Sequence, residues 1–314
     1  MKPFPAVQSG QFWLTEPGLE TEIMYRDGYE LPEFSMQPLL DQPQAIDAIR
    51  KMIEDTLSVA ANNGAGAMIG AFDYRASPDW GAKLGYSPQE LEDRTKAGLR
   101  LLRDCAAPFE DRLGGLYIFS YIGPRGDAYG TGGAITADEA EAYHTTQLET
   151  LKDSEADGAL AATFNNIPES VGLARAAAKL GVPLGLSLTL TSDGVLRSGP
   201  TLKQAIEEID AQTGDARPDF YMVNCAHPTE FEPSLADEPW LRRIRGFVPN
   251  AVAMEKLALC KLGHIEDGDP VELGGQLGAL AAKYPWMDIW GGCCGTGAPH
   301  LEHIAKEVGA ARAA

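Results

Sequence analysis

ALAATFNNIPESVGLARAAAKLGVPLGLSLTL, residues 159–190, reads as one complete strand–helix–strand unit. Residues 159–164 and 184–190 are apolar runs of strand length, and 169–180 between them carries apolar residues at helical spacing. Gly181-Val-Pro183 stops that helix, because glycine accepts the left-handed turn at a helix C-terminus and proline cannot continue one. Two strands joined through a helix pair in parallel. The same grammar extends outward in both directions.

Further apolar runs at 12–15, 67–72, 116–122, 220–225, 246–253 and 288–292 bring the strands to eight. Helical spacing marks 44–62, 89–105, 137–153, 202–211, 272–283 and 299–308, and Thr136-Ala-Asp-Glu139 has the form of a capping box opening the third of these. Eight repeats of roughly 30 residues without a polar linker predict an α/β fold, a single (β/α)8 TIM barrel formed by residues 1–314 as one domain. The rival is an open doubly wound sheet. It would carry a G-x-G-x-x-G between the first strand and helix, and neither that nor a Walker-type loop is present. The segments 18–43 and 123–136 are then loops bordering the active site at the C-terminal face of the strands.

Composition narrows the partners. Of 314 residues, 26 are Lys or Arg and 45 are Asp or Glu, a formal charge of −19, and no short window is dominated by basic residues. A nucleic-acid partner is therefore not expected. The N-terminal stretch has no apolar core of a signal peptide and no run is long enough to span a bilayer, so a cytoplasmic protein without a membrane partner is expected. Five cysteines in such a chain point to thiol chemistry or metal binding before disulfides.

Three of the five are placed for chemistry. The sixth strand ends in Tyr221-Met-Val-Asn-Cys225 and the eighth in Trp290-Gly-Gly-Cys-Cys294-Gly-Thr, so Cys225, Cys293 and Cys294 can converge at the barrel mouth. Three thiolates suit a tetrahedral Zn²⁺ and leave its fourth position open to a substrate. Adjacent strand residues face opposite sides, so Cys293 and Cys294 can share a target only where the backbone leaves strand geometry; Gly291, Gly292, Gly295 and Gly297 permit that. Cys105 and Cys260 lack cysteine neighbours and read as ordinary core residues. His227, two residues beyond Cys225, reads as a loop histidine, and His300 and His303 as surface or helix-packing residues.

Gly291-Gly-Cys-Cys-Gly-Thr296, together with Val223-Asn-Cys-Ala-His-Pro228, resembles the zinc-dependent homocysteine S-methyltransferase family. Thr15-Glu-Pro-Gly-Leu-Glu-Thr-Glu22 is similar to that family's opening Asp-Gly-Gly-x-x-Thr-Glu, and Gly123-Pro-Arg-Gly126 to its Gly-Pro-x-Gly, so the resemblance spans nearly the whole chain. It implies a TIM barrel holding Zn²⁺ through Cys225, Cys293 and Cys294, with methyl transfer to the thiolate of homocysteine giving methionine. The partners are then a small-molecule thiol acceptor and a methyl donor. The chemistry of the residues agrees: a free thiol is mostly protonated at neutral pH, metal binding deprotonates it, and a three-thiolate centre favours a nucleophilic sulfur.

A donor bearing a sulfonium or quaternary ammonium would be held by aromatic faces and carboxylates. Tyr74, Tyr121, Tyr129 and Phe164 fall near strand ends, with Glu16, Asp73 and Asp127 on the same rim. The substrate-binding set expected is Glu16, Asp73, Thr163, Asn224 and Tyr121, with Asn224 turned toward a neighbouring loop. The chain ends about twenty residues after Cys294, which leaves no room for a cobalamin or folate module and predicts a diffusible donor, S-methylmethionine first, then S-adenosylmethionine, then betaine. Two departures bear on the acceptor. Glu16-Pro17 stands for the family's Asp-Gly, and Ala162-Thr163 for its Glu-Thr, so a carboxylate that helps hold the acceptor's amino group is absent, and Asp73 is the candidate to replace it. Another thiol or selenol acceptor, or a non-catalytic zinc- or thiol-binding barrel, are the alternatives.

Overall fold

Eight parallel strands close into a barrel in the order of the sequence: β1 (Trp13–Leu14), β2 (Gly66–Gly70), β3 (Leu116–Ile122), β4 (Gly158–Phe164), β5 (Leu184–Leu188), β6 (Phe220–Asn224), β7 (Ile244–Val248) and β8 (Ile289–Trp290). Trp13 closes the ring, paired with Gly66 on one side and Ile289 on the other. The computed structural model describes residues 1–130 and 135–313; residues 131–134 of the expected loop 123–136 lie outside them. No helix among the described residues is long and apolar enough to cross a membrane.

Strand alternation sorts the side chains into two cores. Trp13, Met68, Tyr117, Phe119, Leu160, Phe220, Met222 and Ile289 fill the barrel interior. Their neighbours Leu14, Ile69, Ile118, Ala161, Val223, Phe247 and Trp290 face outward and pack beneath the helices. The far end is plugged by the N-terminal segment. Phe4 stacks on Tyr117 with centroids 4.5 Å apart, and Arg245, paired with Asp288, also donates to the carbonyl of Pro5 at 2.7 Å.

All seven expected helices form, as Pro43–Asn62, Pro88–Ala106, Ala137–Glu149, Ile167–Leu180, Leu202–Thr213, Pro270–Lys283 and Ala298–Ala313. The Thr136/Glu139 capping box is present in both directions, with like boxes at Ser87/Glu90 and Thr201/Gln204. Gly181 takes φ 68° at the end of its helix, as its C-terminal position requires. The helix expected to reach 153 stops at Glu149, where Thr150 turns its hydroxyl back onto the Gln147 carbonyl.

The strand boundaries need correction. The seventh strand, expected over 246–253, is Ile244–Val248; Pro249 offers no N–H to a ladder, and the chain turns there toward the cysteines. The second ends at Gly70, so Asp73 sits three residues beyond it. Short helices over Leu19–Tyr25, Pro78–Lys83, Pro228–Phe231 and Lys256–Cys260 occupy loops at the mouth, each too short for sequence periodicity to signal.

Candidate active site

Beyond β6 the chain does not continue as a strand. Cys225 takes φ 58°, a left-handed conformation that costs a non-glycine residue roughly 1–3 kcal/mol. Met222 and Asn224 face the barrel interior, so regular alternation would send Cys225 outward; the left-handed turn brings it inward instead. Thr163 on β4 repeats this device at φ 59°, where the β4–β5 register slips between Ala161 and Phe164.

Asn224 binds both strained residues. Its Oδ1 accepts from the Thr163 N–H at 3.0 Å and the Ser187 hydroxyl at 2.7 Å, and its Nδ2 donates to Cys225 Sγ at 3.2 Å. It faces inward and ties β4, β5 and β6, correcting the expectation that it fixes a neighbouring loop. Thr163 is further held by a hydrogen bond to the Tyr74 hydroxyl.

After β8 the Gly291-Gly292 pair leaves strand geometry and the two following cysteines are pinned by backbone. The Cys293 N–H donates to the Pro249 carbonyl at 2.7 Å, and the Cys294 carbonyl accepts from Ala251 N–H at 3.0 Å. Gly295 adopts φ 82° and donates to Thr21 Oγ1, which braces the loop from the helix Leu19–Tyr25. A Cβ on Gly18 would stand 2.4 Å from the Cys293 carbonyl oxygen, so only glycine allows that helix so close.

The result is a cluster of three thiols. The sulfurs of Cys225, Cys293 and Cys294 lie within 4.8 Å of one another, with Cys225 and Cys293 2.7 Å apart. Hydrogen bonds from Cys293 and Cys294 hold Cys225 well below the ordinary thiol range, while donating to Cys225 pushes each of the other two well above it. The three thiols thus favour the anionic form unequally, with Cys225 the most acidic.

The cluster opens on a cavity of about 480 Å³ at the C-terminal ends of the strands, within the size range of small-molecule sites. Glu16, Tyr121, Thr163 and Asn224 line it as expected, as do Tyr74, Asp127 and Tyr129. Glu16 is 4% exposed; its Oε2 accepts from the Gly70 N–H, and its Oε1 has no partner among the described residues. Burial pushes its carboxyl up to about 7.

Two expected residues are elsewhere. Asp73 is turned behind the barrel, where its carboxylate accepts from the Ser120 hydroxyl at 2.5 Å and the Tyr121 N–H at 2.8 Å, so it does not supply the missing charge. Phe164 faces outward and packs on His144. His227 caps the helix Pro228–Phe231 through Thr229 and is not part of the cysteine cluster, because β6 has already ended. His300 is buried in helix packing, bonded to Gly297 N and the Asp267 carbonyl.

The sequence reading missed Glu20, Arg75, Lys256 and Cys260, all on the cavity wall. Glu20 lies in the same motif as Glu16, and burial raises its carboxyl. Cys105 is buried as expected, but Cys260 is exposed at the mouth, at the end of a five-residue helix in which only Lys256 is buried. Lys256 is buried against Glu230 at 2.5 Å.

The homocysteine methyltransferase MmuM from Escherichia coli has the same fold. Its metallated form superposes with a TM-score of 0.69 at 18% identity, covering 95% of this chain and 96% of that one. The oxidized form gives 0.70 at 19% identity over the same shares, and the apo form 0.63 at 16%, covering 96% of each. No curated protein matches significantly in sequence. A profile of the homocysteine S-methyltransferase family matches residues 14–308. With nearly its whole length matched, the chain belongs to the homocysteine S-methyltransferase family and is a methyltransferase built on a (β/α)8 barrel.

Proposed function

We propose that this protein is a zinc-dependent S-methyltransferase that moves a methyl group from a small sulfonium donor, S-methylmethionine or S-adenosylmethionine, to the thiolate of homocysteine, giving methionine. The observation that carries it is the convergence of Cys225, Cys293 and Cys294 within 4.8 Å at the mouth cavity. These three residues fit zinc by donor chemistry: soft sulfur ligands, three in number, with their sulfurs within 4.8 Å of one another. Cys225, Cys293 and Cys294 would hold the zinc, which would supply the Lewis acidity that favours the thiolate form of an acceptor at neutral pH.

The remaining work falls to the chain. Asn224 and the strained turn at Cys225 aim the sulfur into the cavity. Tyr74, Tyr121 and Tyr129 place aromatic side chains on the cavity wall beside the sulfurs, where a sulfonium can be received, and a largely apolar lining favours a reaction between a thiolate and a cation that ends in neutral products. Glu16 and Glu20 stand where an acceptor's ammonium group can be received, Glu16 with an Oε1 that has no hydrogen-bond partner among the described residues. The same reading takes residues 1–314 as one homocysteine-binding-type domain, supported by closure of β1 onto β8.

Ala162 on the cavity wall favours a second reading, a different thiol or selenol as acceptor, because no carboxylate projects from that point of β4. One experiment tests both. Zinc-loaded protein is incubated with each donor paired with homocysteine, other thiols and selenols, and methylated products are read by mass spectrometry, with Cys294→Ser as control. Methionine formed by the wild type and not by the variant is expected. Product from another acceptor alone selects the second reading, and no product from any pair leaves a non-catalytic barrel.

A further inference from the structure

Arg75 follows β2 on the wall of the mouth cavity and is 8% exposed. Its guanidinium carbon lies 4.0 Å from the centroid of Trp80 and 5.1 Å from that of Tyr74, so the group is fixed between two rings. Nη1 donates to the carbonyl of Gly126 at 2.9 Å; among the described residues the buried Nε has no acceptor and Nη2 makes no hydrogen bond. Among the described residues no carboxylate lies within the 4.0 Å of an ion pair.

Among the described residues, that arrangement sets Arg75 apart from the other buried cations. A guanidinium remains charged at any physiological pH, and a buried charge is ordinarily matched by an opposite one. Lys256 has Glu230 and Arg245 has Asp288. Arg75 is equally buried and, among the described residues, is matched only by a neutral carbonyl and two aromatic faces, which leaves Nη2 as a donor on a residue of the cavity wall.

We propose that Arg75 is a carboxylate-binding group of the site, receiving the α-carboxylate of an amino-acid substrate through charge-assisted hydrogen bonds. The proposal rests on the methyl-transfer reading for the identity of its ligands. With Glu16 and Glu20 also on the cavity wall, Arg75 gives the site both signs of charge, which suits a zwitterion carrying an ammonium and a carboxylate. Homocysteine and S-methylmethionine both carry that carboxylate, and the test separates them.

Equilibrium binding to zinc-loaded wild type, Arg75→Gln and Arg75→Lys is measured by calorimetry for four ligands. These are homocysteine, S-methylmethionine, and their decarboxylated counterparts 3-aminopropanethiol and (3-aminopropyl)dimethylsulfonium. Glutamine removes the charge while keeping a polar side chain, and a thermal melt reports folding. Arg75→Gln should weaken at least one carboxylate ligand roughly 10- to 100-fold, leave its counterpart within about 3-fold, and be partly rescued by lysine. Loss confined to the thiol pair assigns Arg75 to the acceptor, and loss confined to the sulfonium pair assigns it to the donor. Equal weakening of a ligand and its counterpart, undiminished binding, or no carboxylate preference in the wild type overturns the proposal. If Arg75→Gln does not fold, Arg75→Lys must show the same selective loss at smaller size. Selective loss without any methyl transfer by the wild type would sink the catalytic reading and leave the carboxylate site standing.

Discussion

Asn224 donates its Nδ2–H to the sulfur of Cys225, the residue directly after it, at 3.2 Å. Neighbouring side chains on a strand point to opposite faces, so this contact exists only because Cys225 is in the left-handed region. The carbonyl end of the same carboxamide holds the N–H of Thr163, the other left-handed residue at the mouth. One side chain therefore stabilises both departures from regular geometry.

Asn224→Ala should remove those bonds together. Leaving the Thr163 N–H and Ser187 hydroxyl without their acceptor costs about 1–3 kcal/mol for each buried group left unpaired. Freed from its anchor, Cys225 should bind metal roughly 10- to 100-fold more weakly. Urea unfolding and competition against a zinc chelator measure the two effects, and a variant with wild-type zinc affinity would show that the strained turn holds itself.

Stability should fall with rising pH in a window set by Glu16. Its folded carboxyl is raised from 4.5 to about 7 by burial, so the folded state holds the proton more tightly than the unfolded chain. That contribution is present below about 4.5 and is lost as pH rises through about 7, a change on the order of 3 kcal/mol. Asp73, likewise raised by burial to about 7, acts in the same direction from outside the cavity. Glu16→Gln should remove part of the slope, the rest coming from Asp73 and from Glu20, whose carboxyl burial also raises. Denaturant midpoints across that window check it, and an unchanged slope would acquit Glu16.

Gly18→Ala should damage the cysteine site more than the fold. The added carbon meets the Cys293 carbonyl at 2.4 Å, and backbone must move to admit it. Gly275→Ala is the matched control, a helical position with nothing within 4 Å, where alanine should stabilise by roughly 0.5–1 kcal/mol. Zinc content and melting temperature of the pair are compared. Equal zinc binding in both variants would mean that the loop from Cys293 shifts without consequence.

At the opposite end of the barrel, Asp288→Asn should separate stability from function. Asp288 makes paired hydrogen bonds to Arg245 at 2.9 and 2.6 Å, and both residues are buried. Removing the anion leaves a buried guanidinium and should cost about 3–5 kcal/mol. Zinc affinity should be unchanged in the folded fraction, because the pair lies away from the strand ends that carry the cysteines. Thermal melts and chelator competition give the two readings.

Much of the barrel is legible in the chain. Apolar runs separated by helical segments specify eight strands and their order, and the capping residues at Thr136 and Gly181 mark helix ends through local chemistry. The cysteine trio is legible as well, because glycines flank Cys293 and Cys294 and Cys225 sits at a strand end. Asp73 was misplaced because the second strand stops at Gly70, after which the chain turns the carboxylate back onto β3. Arg75 and Glu20 went unseen for a related reason: nothing local distinguishes a charged residue facing a cavity from one facing solvent.

The sequence by itself determined the repeat, the closure into one barrel and the three sulfurs, since each follows from periodicity, spacing or residue type within a short window. Which face each mouth residue presents was decided only by the tertiary structure. Period-two alternation sends Cys225 and Thr163 out of the barrel, and two left-handed residues, held by an Asn224 bond network spanning β4, β5 and β6, send them in. Strain of that kind is sustained by contacts between segments about sixty residues apart, and no local pattern in the chain encodes it.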